Sequence, residues 1–353
     1  VRLLPVANPP NPWATTLVDY LDPSVTPDAR LRVYEDHTRQ ILSKNDSPDV
    51  GFTWSANPYR GCFHACAYCY ARPTHEYLSF GAGTDFDRSI VVKPRAAELL
   101  REAFDKPSWR GEVVVFSGVT DCYQPLEATY KLTRQCLEVC LEYRQPVGII
   151  TKSPLVERDI DVLSALTKVA HVHVTISVPF WDAEKARAIE PYVATPERRL
   201  HTIAKLARAG IEVGVNVAPI IPGLNDEDIV TVLTAARDAG ATHAGHVILR
   251  LPGPVAQIFE ERLRASLPLR ADKVMRRIRD TRGGKLYDAR FGVRGRGEGP
   301  YAEAVGALFE NAAKRLGLSQ SMTEPRAGEA RVEPGSPETT FERPNRSPQL
   351  KLF

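Results

Sequence analysis

Cys62-Phe63-His64-Ala65-Cys66-Ala67-Tyr68-Cys69-Tyr70 is the stretch around which the rest of the 353-residue chain is read. Three of the six cysteines fall within it, in a C-x3-C-x2-C spacing. Cysteines so close in sequence are poor disulfide partners, because their Cα separations and Cβ directions are hard to match. Three thiolates can instead hold one metal centre while leaving a coordination position open, unlike a closed four-cysteine structural site. A second reading stays open on the spacing: the three cysteines with His64 or His75 form a Cys3His set that a structural zinc accepts. Tyr68 and Tyr70 flank Cys69, a repetition that ordinary core packing does not require.

Working outward, β-branched runs predict strands over 52–55, 112–117, 147–151, 171–177, 212–218 and 245–250. Helical spacing predicts helices over 96–104, 130–143, 158–166, 196–209, 226–239 and 255–266. Six strand–helix units in alternation are the pattern of a parallel barrel or a doubly wound sheet, which periodicity alone does not separate. Residues 1–50 read as a Pro-containing arm with a helix over 31–42. After the core (51–268) come a basic helical extension (269–318) and a tail (319–353) of Pro, Glu, Arg and Ser, expected to be disordered.

The motif C-x3-C-x-aromatic-C, with Tyr68 at the aromatic position, resembles the signature of the radical S-adenosylmethionine (radical SAM) enzymes. The resemblance implies an α/β fold built as a partial (β/α)6 TIM-type barrel. It also implies a 4Fe-4S cluster on Cys62, Cys66 and Cys69, whose fourth iron is chelated by S-adenosylmethionine (SAM). One electron from the reduced cluster then cleaves the sulfonium bond and releases a 5′-deoxyadenosyl radical. An electron donor such as a flavodoxin or ferredoxin would feed the cluster.

Residues that follow barrel strands line the active mouth. Here they are Gly118-Val119-Thr120-Asp121-Cys122-Tyr123-Gln124-Pro125, Thr151-Lys152-Ser153-Pro154, Ser177, and Pro219 to Asp226. Together with the cysteine motif they resemble the spore photoproduct lyase-related branch of radical SAM proteins over residues 57–251. The resemblance makes Thr120, Asp121 and Ser177 candidate hydrogen-bonding groups for SAM, Lys152 a cation for its carboxylate, and Tyr68 and Tyr70 neighbours of its adenosyl group. One position departs from that branch: the hydrogen-donating cysteine of the lyase is Gly118 here. Cys122, the nearest thiol, with Tyr123 beside it, is the candidate substitute, against a packing role for both. Asp121 and Glu127 are acid/base candidates as well as turn and cap residues. Cys122, Cys136 and Cys140 can be read as an auxiliary cluster or as core. His171 and His173 share one face of a strand, where a core or edge role competes with an interior one.

A composition of 43% apolar and 25% charged residues is that of a globular protein, and no run of eighteen apolar residues suggests a membrane span. The Pro-rich 1–13 does not read as a secretory signal, and oxidation-sensitive thiolates suit a reducing cytoplasm. The net charge is only +3, yet the ten Lys/Arg and three Asp/Glu of 270–296 make that segment locally basic, a hint of a polyanion partner. The terminal Gln349-Leu350-Lys351-Leu352-Phe353 resembles the pentapeptide by which bacterial repair proteins dock on the DNA sliding clamp. These features lead to the expectation of a radical SAM enzyme acting on DNA. The alternatives are a maturase acting on a peptide and a zinc-stabilised binding module without catalysis.

Overall fold

The computed structural model describes residues 31–320 and 339–344, together with the backbone of strand β1, Leu3–Val6. Its main sheet has eight strands, of which six carry the strand–helix alternation: β4 (Trp54–Ala56), β7 (Val114–Phe116), β8 (Val147–Thr151), β9 (Val172–Ser177), β10 (Glu212–Ile220) and β11 (His243–Ile248). All neighbouring pairs among these six are parallel. The edges are β3 (Leu42–Lys44), antiparallel to β4, and the two-residue β12 (Ser319–Gln320), parallel to β11. β3 and β12 do not pair with each other, so the barrel is open.

The period of two along each strand decides which side chains enter the core. Val147 and Ile149, Val172, Val174 and Ile176, and Val213, Val215 and Val217 all point to the helix layer and join one apolar cluster. The intervening residues, including Gly148, His173, Thr175, Ser177, Gly214 and Asn216, therefore face the barrel interior. The helices that cover the outer face end as their sequence dictates. Thr195 caps Pro196–Arg208 by accepting from the Arg198 amide, and Asp182 caps Ala183–Ile189 by accepting from the Glu184 and Lys185 amides.

A second sheet, in the order β1, β2 (Arg32–Asp36), β6 (Ser89–Val92), β5 (Tyr59–Arg60), sits at the entry to the cysteine segment. It corrects the expected helix over 31–42, which is instead β2 followed by β3. Arg32 to Glu35 register against Ser89 to Val92, and this distant partner supplies hydrogen bonds that local spacing could not disclose.

The tail is corrected in part. Thr339 donates to the Gly111 carbonyl at 2.7 Å, Arg343 donates to the Phe104 carbonyl at 3.0 Å, and Phe341 packs on Phe104 and Tyr143. The clamp-like pentapeptide 349–353 lies outside the described residues. No helix among the described residues is long and apolar enough to cross a membrane.

Candidate active site

The strand pair β5–β6 delivers the chain to Gly61, whose φ of +76° favours glycine. A Cβ there would lie 2.8 Å from the His75 ring and 2.9 Å from the Phe86 carbonyl, so the turn into Cys62 depends on its absence. Beyond it, the Cys62 amide donates to the Phe86 carbonyl at 3.0 Å, and Ala65 takes a left-handed φ of +54°. Cys62 and Cys66 are buried, Cys69 is partly so, and none forms a disulfide. Burial pushes all three thiols up, with Asp121 adding to the effect at Cys62 and Glu190 at Cys66. Such thiols become thiolates when a metal centre supplies positive charge.

The sulfurs are too widely set for one ion. Among the described residues, only His173, Glu212 and His243 converge within 4.8 Å, so no trio drawn from the cysteines, His64 and His75 does. In a tetrahedral zinc site with Zn–S near 2.3 Å, sulfurs stand roughly 3.8 Å apart. As placed, these groups do not form the convergent set that a single zinc requires. His75 Nε2 lies 2.8 Å from the Ser89 carbonyl oxygen, while its Nδ1 has no partner among the described residues. Cys136 and Cys140 are wholly buried among apolar side chains and join no convergent ligand group.

Three polar clamps hold the cysteine loop, and most of their members escaped sequence reasoning. Arg72, 2% exposed, donates from Nε to the Cys66 carbonyl at 3.0 Å, from Nη1 to the Ala82 and Gly83 carbonyls, and from Nη2 to Asp87 at 2.9 Å. The second clamp runs from Tyr68, which donates to Glu190; Arg199 also donates to Glu190, and to the Ser177 carbonyl at 3.0 Å. It ties the aromatic position of the motif to the C-terminal end of β9. Burial and the neighbouring Glu190 push the Tyr68 hydroxyl well above the ordinary phenol range, so it stays a donor. In the third, Thr120 donates to the Gly61 carbonyl at 2.5 Å, while Gln124 donates to the same carbonyl at 3.1 Å and accepts from the Phe63 amide. A Glu or Arg far along the chain carries no local sign of such a role; a buried charge between apolar residues is the one available signal.

Asp121 organises the ends of β7 and β8. It accepts from Thr151 Oγ1 at 2.6 Å, from the Lys152 amide at 2.8 Å and from the Tyr123 amide at 2.9 Å, with His64 Nδ1 at 3.4 Å. Burial raises its carboxyl, but His64 and these donors outweigh it and hold the group at about 2, below its ordinary 3.8. A depressed carboxyl stabilises the fold above its unfolded pKa and loses that contribution as pH falls through the folded one. Asp121→Asn is therefore expected to destabilise the metal-free chain by about 2 kcal/mol at pH 7. The gap to wild type should close between about pH 4 and pH 2 in urea titrations; a gap independent of pH would contradict this.

Lys152 places its ammonium 5.7 Å from the Tyr68 ring centre, beside the cysteine motif. Tyr70 is half exposed, and Arg250, just past β11, lies 5.4 Å over its ring. Cys122 and Tyr123 are a different case. Both are wholly buried in the main apolar cluster; the Cys122 thiol donates to the Phe116 carbonyl and Tyr123 donates to Asp159 at 3.1 Å. Burial pushes the Cys122 thiol well up. The geometry gives both residues a packing role in place of the mouth position read from sequence. Cys122→Ala should cost about 1 kcal/mol of stability and leave SAM cleavage within about twofold of wild type, as a 5′-deoxyadenosine assay would show.

Two buried polar atoms towards the strand ends have no partner among the described residues: Asn216 Oδ1 on β10 and Arg250 Nε. Asn216 registers beside Ser177. Buried polar groups of this kind call for a bound partner, and a cofactor with amino, carboxylate and hydroxyl groups fits that need. Asn216 and Arg250 were not among the residues singled out from sequence.

Comparison with known proteins agrees with this arrangement. The Radical SAM superfamily model matches residues 56–236, more than half of the chain, and the protein belongs to that family. An uncharacterised protein of Mycobacterium tuberculosis is 40% identical over 193 residues, which are 54% of this chain and 57% of that protein, so the match spans little more than half of that relative's length. A radical SAM Nα-GlyT isomerase of Pseudomonas phage M6 is 24% identical over 218 residues, 62% of this chain and 43% of that one. Spore photoproduct lyase complexed with dinucleoside spore photoproduct superposes with a TM-score of 0.60 at 14% identity, covering 82% of this chain and 80% of that one. The last likeness is one of fold. The family implies SAM and a 4Fe-4S cluster as cofactors.

Proposed function

We propose that the protein is a radical SAM enzyme that cleaves S-adenosylmethionine reductively at a 4Fe-4S cluster on Cys62, Cys66 and Cys69, and that its substrate is DNA bearing a damaged or modified base. When bound, the cluster and SAM supply an electron and a carbon-centred radical able to abstract hydrogen, chemistry that belongs to the cofactors. The single observation that carries the reading is the triad of cysteines, two buried and one partly so, locked to the ends of β7 and β9 through the Thr120–Gly61 and Tyr68–Glu190–Arg199–Ser177 hydrogen bonds. These clamps fix the loop relative to the strand ends, so that Lys152, Asn216 and Arg250 surround the same mouth. A loop fixed in this way holds reactants at set separation.

Support for DNA comes from two sides. The similar lyase structure holds a dinucleoside, and the extension presents exposed Lys273, Arg276 and Lys285. Other cations of that segment have structural duties. Arg282, 1% exposed, donates to the Val293 and Leu249 carbonyls, Arg290 pairs with Asp288 and Glu298, and Arg294 pairs with Asp49. The phosphate-binding contribution expected of 270–296 is correspondingly smaller than its charge suggests. A reducing cytoplasm with a flavodoxin or ferredoxin as donor, and clamp docking through Gln349 to Phe353, complete the proposal.

Deuterium transfer tests the substrate. Duplex DNA carrying thymine photoproducts with deuterated thymidine should pass deuterium into 5′-deoxyadenosine when incubated with the reconstituted protein, SAM and dithionite. Transfer from a deuterated peptide substrate, with none from DNA, would favour the maturase reading.

A further inference from the structure

At the opposite end of the barrel from the cysteines, His173 of β9, Glu212 of β10 and His243 of β11 meet at the N-terminal ends of three adjacent parallel strands. The register brings them together: Glu212 stands beside His173, and His243 beside Gly214, two residues further along β10. Glycine at that place leaves room for the ring. A Cβ on Gly214 would lie 3.1 Å from His173 Nε2, so the imidazole of His173 occupies the room a side chain would take. Gly148, which registers against His173 from β8, leaves the other flank without a side chain as well. The His173 and His243 rings stand edge to face, 5.0 Å apart.

Glu212 lies at the centre of this group. Its Oε1 is 3.2 Å from His243 Nδ1 and 3.8 Å from His173 Nδ1, and its Oε2 is 3.9 Å from His171 Nδ1. Thr242 Oγ1 lies 2.7 Å from His243 Nδ1 and steadies that ring. One ligand atom from each of His173, Glu212 and His243 falls within 4.8 Å of the others, the one such convergence among the described residues. Side-chain exposures of 21%, 35% and 24% leave the group open to an ion from solvent.

We propose that His173, Glu212 and His243 bind a first-row divalent cation, separate from the iron–sulfur centre, that joins β9, β10 and β11 at their N-terminal ends. Two imidazoles and a carboxylate are a donor set that zinc and its neighbours accept, with positions left for water or for His171. Binding across three strands stabilises the folded chain by mass action, since the unfolded chain does not hold the three ligands together. The proposal does not rest on the radical chemistry.

Zinc is the probe. Cluster-reconstituted full-length protein, dialysed against buffered Zn2+, should retain about one zinc per chain beyond its iron, with a higher thermal midpoint. His243→Ala and Glu212→Gln should each weaken zinc affinity about tenfold or more, on the scale at which even supporting residues act, at unchanged iron content. X-ray absorption at the zinc edge of the wild-type protein needs no variant. It should show nitrogen and oxygen neighbours at about 2.0–2.1 Å and no sulfur near 2.3 Å. A sulfur shell, zinc retained equally by both variants, or no zinc retained by wild type would overturn the proposal.

Discussion

Arg199→Met is expected to destabilise the protein by about 3–5 kcal/mol, because it removes one half of a buried ion pair and leaves the other charged. Arg199 is 1% exposed and Glu190 equally inaccessible. With the guanidinium gone, Glu190 keeps, among the described residues, the Tyr68 hydroxyl as its side-chain donor, and the carbonyls of Ser177 and Ala194 lose the Arg199 donor. The loss reaches the site through geometry, since Tyr68 sits between Cys66 and Cys69. Iron content after reconstitution should fall together with the urea midpoint. Replacing Glu190 by Leu and Tyr68 by Phe in the Arg199→Met background removes the stranded charge and its donor, and should recover part of the stability without restoring the link to β9. A single variant as stable as wild type would mean that the chain Tyr68–Glu190–Arg199–Ser177 contributes nothing to the fold.

Arg72→Ala is expected to have the second large effect, about 3 kcal/mol or more, through several hydrogen bonds lost at once and carbonyls left unpaired in a dry interior. Its guanidinium bridges the Cys66 carbonyl, the turn at Ala82 and Gly83, and Asp87. Burial lifts Asp87 to about 6 even against the attraction of Arg72, so without Arg72 this carboxyl has every reason to take up a proton near neutral pH. Arg72→Lys keeps the charge but cannot reproduce a planar fork that serves these acceptors together; it should resemble Arg72→Ala in iron retention. Iron retained by both variants at wild-type levels would show that the loop is held by other contacts.

The cysteine spacing and the period-two strands were legible from the sequence because both are local. The strand over 147–151 and the helix over 255–266 coincide with β8 and with Val255–Ser266. A strand that depends on a far partner was not legible. Arg32–Asp36 carries a spacing compatible with a helix until Ser89–Val92 is known to lie beside it. The same limit applies to the site. Lys152 and Ser177 could be placed because they end strands. Glu190 accepts from the Tyr68 hydroxyl across 122 positions of sequence, and with its partner Arg199 it announces itself only once the chain is folded. Contacts of that range leave no trace in local spacing. Cys122 was misplaced for a related reason. Its position after β7 suggested the mouth, but the chain turns there and buries the thiol against the Phe116 carbonyl.

The central claim is that Cys62, Cys66 and Cys69 hold a cluster at which SAM is cleaved, and one measurement tests it most directly. The protein is reconstituted anaerobically with iron and sulfide, given SAM and dithionite, and assayed for 5′-deoxyadenosine beside Cys66→Ala. The account predicts that wild type forms 5′-deoxyadenosine and that the variant forms none above background. A wild-type protein that takes up zinc in place of iron at these cysteines and leaves SAM intact would contradict it.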